Sequence, residues 1–415
     1  MNLKIYRGTH QIGGSCLELS TANTRLIFDI GQELPSLNGE RKPQILPGVK
    51  GLYKDELSTI DAIFISHGHS DHLGLFNHIN SNIPVFIGEN AAKLQIVTAR
   101  FTNDKQITNP LNYLLSGQEI TVGDFSVTPY LVDHSGFDSF AFVIKAEGKC
   151  VVYTGDFRDH GRKKKATDYF RQSIPKGVNS LVSEGTMMNR QNERIATEEQ
   201  IEQQAYQFMI AKERPILVLQ SGTNIDRLVG MYKAAKHSGR IFVIDIFVAH
   251  IVSQLGGSIP RPGEFKDIRV FYPNHLTHRM FQKPGNEKLM KEFSRYYIGK
   301  KELGERKEYC MLIRDSMLAD LQYIKNLKGS GMIYSMWSGY TKTHKVQQLL
   351  RFAQTQDMEV TYLHTSGHAS MKALQTLAES CKPERIIPIH TEKPEQFMKS
   401  FKNVFIANDG ETISI

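Results

Sequence analysis

The sequence predicts an α/β protein, an αββα sandwich into which a second, mostly parallel α/β domain is set. Three observations carry this prediction. Short β-branched and aromatic runs dominate residues 1–190, with helical stretches interspersed as outer cover. Beyond residue 190 the pattern changes to alternating helix and buried strand, the mark of a parallel sheet. The chain then returns near residue 361 to a helix and a strand of the first kind, so 1–190 and 361–415 form one domain and 191–360 the insert. At 415 residues the chain is too long for one typical domain.

In order, Leu3–Tyr6, Cys16–Leu19 and Arg25–Asp29 alternate like paired strands, and Asp29-Ile30-Gly31 ends the third with a carboxylate. Residues 34–57, with Pro35, Pro43 and Pro47, read as a loop. The apolar run Asp61–Ile65 is a buried strand, and a helix is expected to start in Leu73–Ile79. Pro84–Gly88 and the runs at 120–122, 125–130, 139–144 and 150–156 continue the β pattern. In the insert, helices are expected at Thr197–Ala211, Ile225–His237, Val248–Leu255 and His344–Gln356. Strands are expected at 215–219, 240–244, 331–335 and 359–363. The stretch Arg261–Arg306 is weakly periodic and unassigned. A helix at Met371–Cys381 and a strand at Arg385–His390 close the pattern.

Between the strand at 61–65 and the next helix stands Ser66-His67-Gly68-His69-Ser70-Asp71-His72. Four metal-capable side chains in six residues at a strand end are poorly explained as a solvated loop, and imidazole mixed with carboxylate suits a dinuclear hydrolytic site. Further candidates stand at other strand ends: His134 after 125–130, Asp156 after 150–154, and His390 after 385–389. A lone histidine is more often structural, but this many strand ends carrying His or Asp are hard to explain by packing. The expected arrangement gives one divalent ion His67, His69 and His134, and the other Asp71, His72 and His390, with Asp156 bridging. Asp71 and Asp156 are therefore also catalytic candidates. Two such ions hold a hydroxide at neutral pH and stabilise both oxygens of an in-line displacement. Zn is the default for these donors and Mn the alternative. Asp29 either hydrogen-bonds a ligand or caps the turn at Gly31.

Composition narrows the partner. Net charge is +8 and pI about 9.1, consistent with a polyanionic substrate and equally with a merely basic enzyme. Cys16, Cys150, Cys310 and Cys381 are scattered, which argues against a cysteine zinc site and for reduced thiols in a cytoplasmic protein. No apolar run is long enough to span a bilayer, and no signal-peptide pattern opens the chain. Arg158 and Arg162-Lys163-Lys164-Lys165 follow Asp156 and are read either as lining a cleft or as a solvated turn.

His67–His72, with Asp29, His134, Asp156 and His390, resembles the metallo-β-lactamase superfamily. Leu181–Thr186, Thr365–Ser370 and Ile387–Glu392 look like motifs A, B and C of its β-CASP nucleases, and Ser366-Gly367-His368-Ala369-Ser370 and Thr154–Phe157 are most similar to the ribonuclease J family. The resemblance implies a metallo-β-lactamase αββα sandwich with an inserted β-CASP domain. It further implies a metal-dependent ribonuclease acting on single-stranded RNA as a 5′ exonuclease, an endonuclease or both. Glu184 would then orient metal-site groups or assist proton transfer, and His368 would bind the scissile phosphate or act as general acid. Ser366, Gly367, Ala369 and Ser370 would supply donors around a phosphate, Ser370 doubling as an N-cap. Two departures stand out. The family's further C-terminal domain, used in self-association, has no counterpart in the 25 residues after His390, which leaves the oligomeric state open. Thr391 stands where the family commonly has Gly. A DNA nuclease is the nearest alternative. A small-ester or thioester hydrolase fits less well, because a small substrate does not need so large an insert. A non-catalytic nucleic-acid scaffold is rejected, since no ligand is missing.

Overall fold

The computed structural model describes residues 1–34, 44–102, 107–190 and 195–415. Pro35 and Pro43 of the expected loop, and the start of the insert at residue 191, lie outside the described residues. Two sheets face each other. One has seven strands, in spatial order Thr412–Ser414, Asn2–Arg7, Cys16–Ser20, Arg25–Phe28, Ala62–Phe64, Val85–Ile87 and Leu111–Tyr113. The other has six, in order Arg385–Ile389, Ser180–Glu184, Lys149–Tyr153, Ser139–Ala146, Phe125–Val132 and Ile120–Val122. Period-2 alternation turns Leu3, Ile5, Leu17, Leu19, Leu26 and Phe28 of the first sheet toward Phe125, Val127, Phe142, Ile144 and Val151 of the second. Phe28 stacks on Phe64 at 5.3 Å and meets Phe142 edge-on at 5.4 Å, and burying each such ring stabilises the sandwich by roughly 1.5–3 kcal/mol.

Strand direction sets the functional edge. Lys149–Tyr153, Ser180–Glu184 and Arg385–Ile389 run parallel, so residues just beyond their ends emerge side by side. Arg25–Phe28 and Ala62–Phe64 are also parallel, and the Phe140 amide donates to the Ser66 carbonyl across the two sheets at 2.8 Å. All the strand-end acids and histidines thus reach one rim. Gly31 is required there, because a Cβ would lie 1.7 Å from the Asp71 carbonyl oxygen. Gly155, at φ +51°, likewise leaves no room beside Ser66.

The third sheet is wholly rather than mostly parallel, in order Ile268–Phe271, Ile241–Asp245, Tyr309–Ile313, Ile216–Leu219, Gly331–Tyr334 and Glu359–Tyr362. Helices cover both of its faces, among them Ile225–His237, which matches its expected bounds. Thr197 caps Glu198–Ile210 with a complete capping box to Gln200. The unassigned stretch supplies the edge strand Ile268–Phe271 and the helices Asn274–Phe281, Glu287–Lys291 and Lys300–Glu305.

Two expectations are corrected. The helix placed in Leu73–Ile79 instead begins within the His/Asp cluster as Ser70–Leu73 and stops at Gly74, followed by a short 3₁₀ turn at Phe76–His78. It stops because the Leu75 amide donates to the Ile30 carbonyl, drawing the chain back onto the sheet. The run at 158–165 is neither a cleft lining nor a solvated turn at its key positions. Arg158 is fully buried, pairing with Asp133 (3.3 Å), Glu198 (3.0 Å) and Asp226 (2.8 Å). Arg162 pairs with Glu202 and Lys163 with Asp226, leaving Lys164 and Lys165 exposed. Arg227 closes the network on Glu198 at 2.8 Å, and these pairs tie the insert to the sandwich. Glu198 is pushed up by burial and pulled further down by Arg227 and Arg158, to about 2. Its contribution to stability is full above the ordinary carboxylate range and is lost as pH falls toward 2. Arg158→Met leaves three buried carboxylates with one cation fewer, so urea denaturation is expected to show a loss of about 3–5 kcal/mol.

Candidate metal centre

His67 and His69 leave the end of Ala62–Phe64, and Asp71 and His72 sit on the four-residue helix Ser70–Leu73. His134 follows Phe125–Val132, Asp156 follows Lys149–Tyr153, Glu184 ends its strand, and His390 follows Arg385–Ile389. All seven expected ligands converge. His67, His69 and His134 form one group whose donor atoms lie within 4.8 Å of one another, and Asp71, His72 and His390 form another. Asp156 stands between them, with Oδ2 3.2 Å from His72 Nε2 and 3.8 Å from His67 Nε2, and Oδ1 3.7 Å from His390 Nδ1.

Hydrogen bonds outside the cluster fix which ring nitrogen faces inward. Asp29 Oδ2 accepts from His72 Nδ1 at 2.7 Å, Ser66 Oγ at 2.7 Å and the Tyr153 hydroxyl at 2.6 Å. Because Ser66 gives its proton to Asp29, its oxygen is free to accept from His67 Nδ1 at 3.1 Å. His134 Nδ1 donates to the Gly367 carbonyl. The Thr186 hydroxyl donates to the His390 carbonyl and accepts from His390 Nδ1 at 2.8 Å. His67, His72, His134 and His390 thus each present an Nε2 lone pair to the centre. Of the two readings of Asp29, the structure shows it bonded to His72 rather than only capping a turn.

The residues fit divalent cations. His67 Nε2 and His134 Nε2 each lie 3.1 Å from His69 Nδ1, so at most one proton can be shared among three facing nitrogens. Asp156 Oδ1 is buried with no hydrogen-bond partner within the protein, an arrangement native interiors rarely leave uncompensated, and His72 Nε2 faces the Asp156 carboxylate at 3.2 Å. Burial, reinforced by neighbouring imidazoles, holds His67 and His134 well below the ordinary histidine range, so both are neutral donors. Burial also opposes charge on Asp71 and Asp156, yet the surrounding histidines outweigh it and keep both carboxyls below their usual range. Asp29→Asn is expected to lower metal affinity by roughly 10–100-fold, read by competition against a chromophoric chelator, with the fold unchanged by circular dichroism.

Beside the centre, Glu184 Oε2 lies 3.1 Å from His368 Nδ1, and Glu184 Oε1 accepts from the amides of Phe157 (3.0 Å) and Ala369 (3.1 Å). Burial pushes the His368 ring down, but Glu184 and Asp156 outweigh it and hold it up at about 9. In the motif loop, two of the amides are already engaged. The His368 amide donates to Ser366 Oγ at 3.1 Å and the Ala369 amide to Glu184, so neither is free. Ser370 Oγ caps Met371–Cys381 by accepting from Ala373, as anticipated. The loop's carbonyls are held as well, Ser366's by Arg158 and His160 and Gly367's by His134. Sequence reasoning missed Ser66, Tyr153 and Thr186 as orienting groups. Thr186 lay within a quoted motif, whereas Tyr153 carried no signal. Thr391 needs no glycine, because the positive φ falls on His390 (54°) instead.

Comparison with known proteins agrees with this geometry. Residues 33–195 match the family described as beta-lactamase superfamily domain, and residues 357–414 match the Zn-dependent metallo-hydrolase RNA specificity domain. A beta-lactamase superfamily domain thus accounts for residues 33–195. It is 22% identical to ribonuclease J 2 of Streptococcus pyogenes over 93% of this chain and 68% of that protein. It is 23% identical to ribonuclease J of Sinorhizobium meliloti, over 87% of this chain and 62% of that one. Ribonuclease J of Helicobacter pylori is 21% identical over 98% of this chain and 60% of its own length. The chain thus spans about three-fifths to two-thirds of these relatives. A crystal structure of an Enterococcus faecalis protein of unknown function superposes over 99% of both chains, with a TM-score of 0.81 at 21% identity, and shares this fold.

Proposed function

We propose that this chain is a metal-dependent ribonuclease that hydrolyses phosphodiester bonds of single-stranded RNA. The observation that carries the reading is the Glu184–His368 pair, set 3.6 Å from Asp156 at the rim of the His/Asp centre. A hydrolase of small esters has little use for a protonated imidazole delivered from the far side of a large insert. A phosphodiester needs a proton on its leaving oxygen. Support comes also from the RNA specificity domain matched at residues 357–414, the ribonuclease J relatives and the +8 charge.

His67, His69 and His134 would hold one divalent ion and Asp71, His72 and His390 the second, with Asp156 shared and Zn preferred over Mn. When bound, such ions bring a water's pKa into the neutral range and offset charge growing on the phosphate. The remaining steps fall to the chain. Asp29, Ser66 and Thr186 keep the imidazoles aimed, Glu184 holds His368 Nδ1, and His368 Nε2 is left to donate to the departing oxygen. Residues 1–190 and 361–415 are assigned to the catalytic sandwich and 191–360 to the inserted domain. Among the described residues no helix is long and apolar enough to cross a membrane. The four cysteines are all unpaired, which supports a cytoplasmic setting.

Matched single-stranded RNA and DNA with 5′ monophosphate, triphosphate or hydroxyl ends, assayed with Zn or Mn, test the reading. Mononucleotides released from monophosphorylated RNA indicate 5′ exonuclease action, and internal fragments indicate endonuclease action. Cleavage of DNA alone favours the repair-type alternative. Hydrolysis of a simple ester with neither polymer cut rejects the nuclease reading.

A further inference from the structure

His160 stands between two crossings of the chain. Its backbone carbonyl accepts from the Glu198 amide at 3.1 Å, on the segment that leads into the third sheet. Its ring donates from Nε2 to the Ser366 carbonyl at 2.8 Å, on the segment that leaves that sheet. The Thr365 hydroxyl, donating to the Ala196 carbonyl at 2.5 Å, draws the two segments together. From Ser366 the contacts run on to the site. Ser366 Oγ accepts from the His368 amide at 3.1 Å, and His368 Nδ1 lies 3.1 Å from Glu184 Oε2. Gly367 between them has no room for a side chain, since a Cβ would lie 2.5 Å from Ser135 Oγ and 3.3 Å from His134 Cε1. A displacement at Ser366 therefore finds little slack at Gly367 and passes to His368.

Arg158 also donates to the Ser366 carbonyl, at 3.2 Å, but its guanidinium is committed to Asp133, Glu198 and Asp226. Among the described residues the His160 ring makes no other hydrogen bond. Its side chain is only 9% exposed, its Nδ1 is buried without a partner, and Asp159 Oδ1 stands 3.9 Å away, beyond bonding reach. An unpartnered nitrogen of this kind is uncommon inside a protein. Holding the Ser366 carbonyl is the single bond this imidazole makes.

We propose that His160 is a positioning residue for His368: it fixes the Ser366 carbonyl and thereby aims the His368 ring at the leaving oxygen. This rests on the nuclease reading above, in which His368 donates that proton. A general acid acts only within hydrogen-bond reach of its target, and a shift of about 1 Å costs on the order of a hundredfold.

The experiment uses the full chain, single-stranded RNA, and a uridine p-nitrophenyl phosphodiester whose leaving group needs no proton. Methionine and glutamine are close in size and flexibility, and only glutamine can donate. His160→Met is expected to lower kcat on RNA by about 10–100-fold, with KM, metal content and kcat on the p-nitrophenyl substrate unchanged. His160→Gln should recover kcat on RNA to within a few fold of wild type. Ser366→Ala removes the acceptor for the His368 amide, so it should show the same loss, and the double variant no further loss. Equal kcat in His160→Met and wild type, equal losses on both substrates, or losses that multiply in the double variant overturn the positioning role and leave the ribonuclease reading standing. Should His160→Met fail to fold, Ser366→Ala decides alone, because full kcat on RNA there breaks the path from His160 to His368. A wild type that cuts no RNA overturns the ribonuclease reading and the role of His160 with it.

Discussion

Replacing His390 by alanine is expected to abolish turnover while leaving RNA binding within a few fold of wild type. The reason lies in how this residue is held. His390 Nδ1 is fixed by Thr186 and its Nε2 lies 3.2 Å from Asp71 Oδ2, so removing the ring takes one donor from the Asp71–His72 group and none from the His67–His69–His134 group. Alanine keeps the Cβ, so the strain of φ 54° at this position does not change, and the strand Arg385–Ile389 remains paired with Ser180–Glu184. A bound cation contributes several kcal/mol to transition-state stabilisation, which corresponds to a rate loss on the order of a thousandfold or more. Metal content measured by plasma emission should fall toward one ion per chain. Fluorescence anisotropy with labelled RNA should be nearly unchanged. Retained turnover with full metal content would remove His390 from the ligand set.

What the sequence disclosed and what it hid follow from the range over which each signal acts. His67 to His72 lie within six residues, and His134, Asp156 and His390 each sit just past a run of strand-forming residues, so local pattern was enough to bring them together. The parallel pairing of three strand ends then did the rest. Asp29 stayed ambiguous because its role depends on Ser66, His72 and Tyr153, which the chain brings together from 37, 43 and 124 residues away. Arg158 reads with the lysines that follow it, yet its three carboxylate partners stand at Asp133, Glu198 and Asp226, and no local window contains them. The strand Tyr309–Ile313 escaped notice because a central parallel strand, covered on both faces, reads as an apolar run without alternation. Ile268–Phe271 was hidden by Arg269 in a run of only four residues. Which amides of the motif loop are already engaged is hidden for a related reason. Amides in a loop look available from sequence, and only coordinates show that Glu184 and Ser366 already occupy two of them.

The same Glu184 contact makes the second large prediction. His368→Ala is expected to lower kcat on RNA by about 10²–10⁴-fold, the usual contribution of a positioned general acid. Glu184→Gln should cost less and change the pH dependence in a defined direction. His368 is held up at about 9 by Glu184 and Asp156 against burial. Taking away the Glu184 charge leaves burial less opposed, so the ring loses its proton at lower pH. An NMR titration of His368 should therefore move to lower pH in Glu184→Gln. Since the protonated form is the active one, the alkaline limb of kcat/KM should move the same way. A substrate whose leaving group needs no proton separates donation from mere binding. On a uridine p-nitrophenyl phosphodiester, His368→Ala should retain most of the wild-type kcat, because p-nitrophenolate departs unaided. An equal loss on both substrates would make His368 a phosphate-binding group instead, with Glu184 serving only to hold it in place.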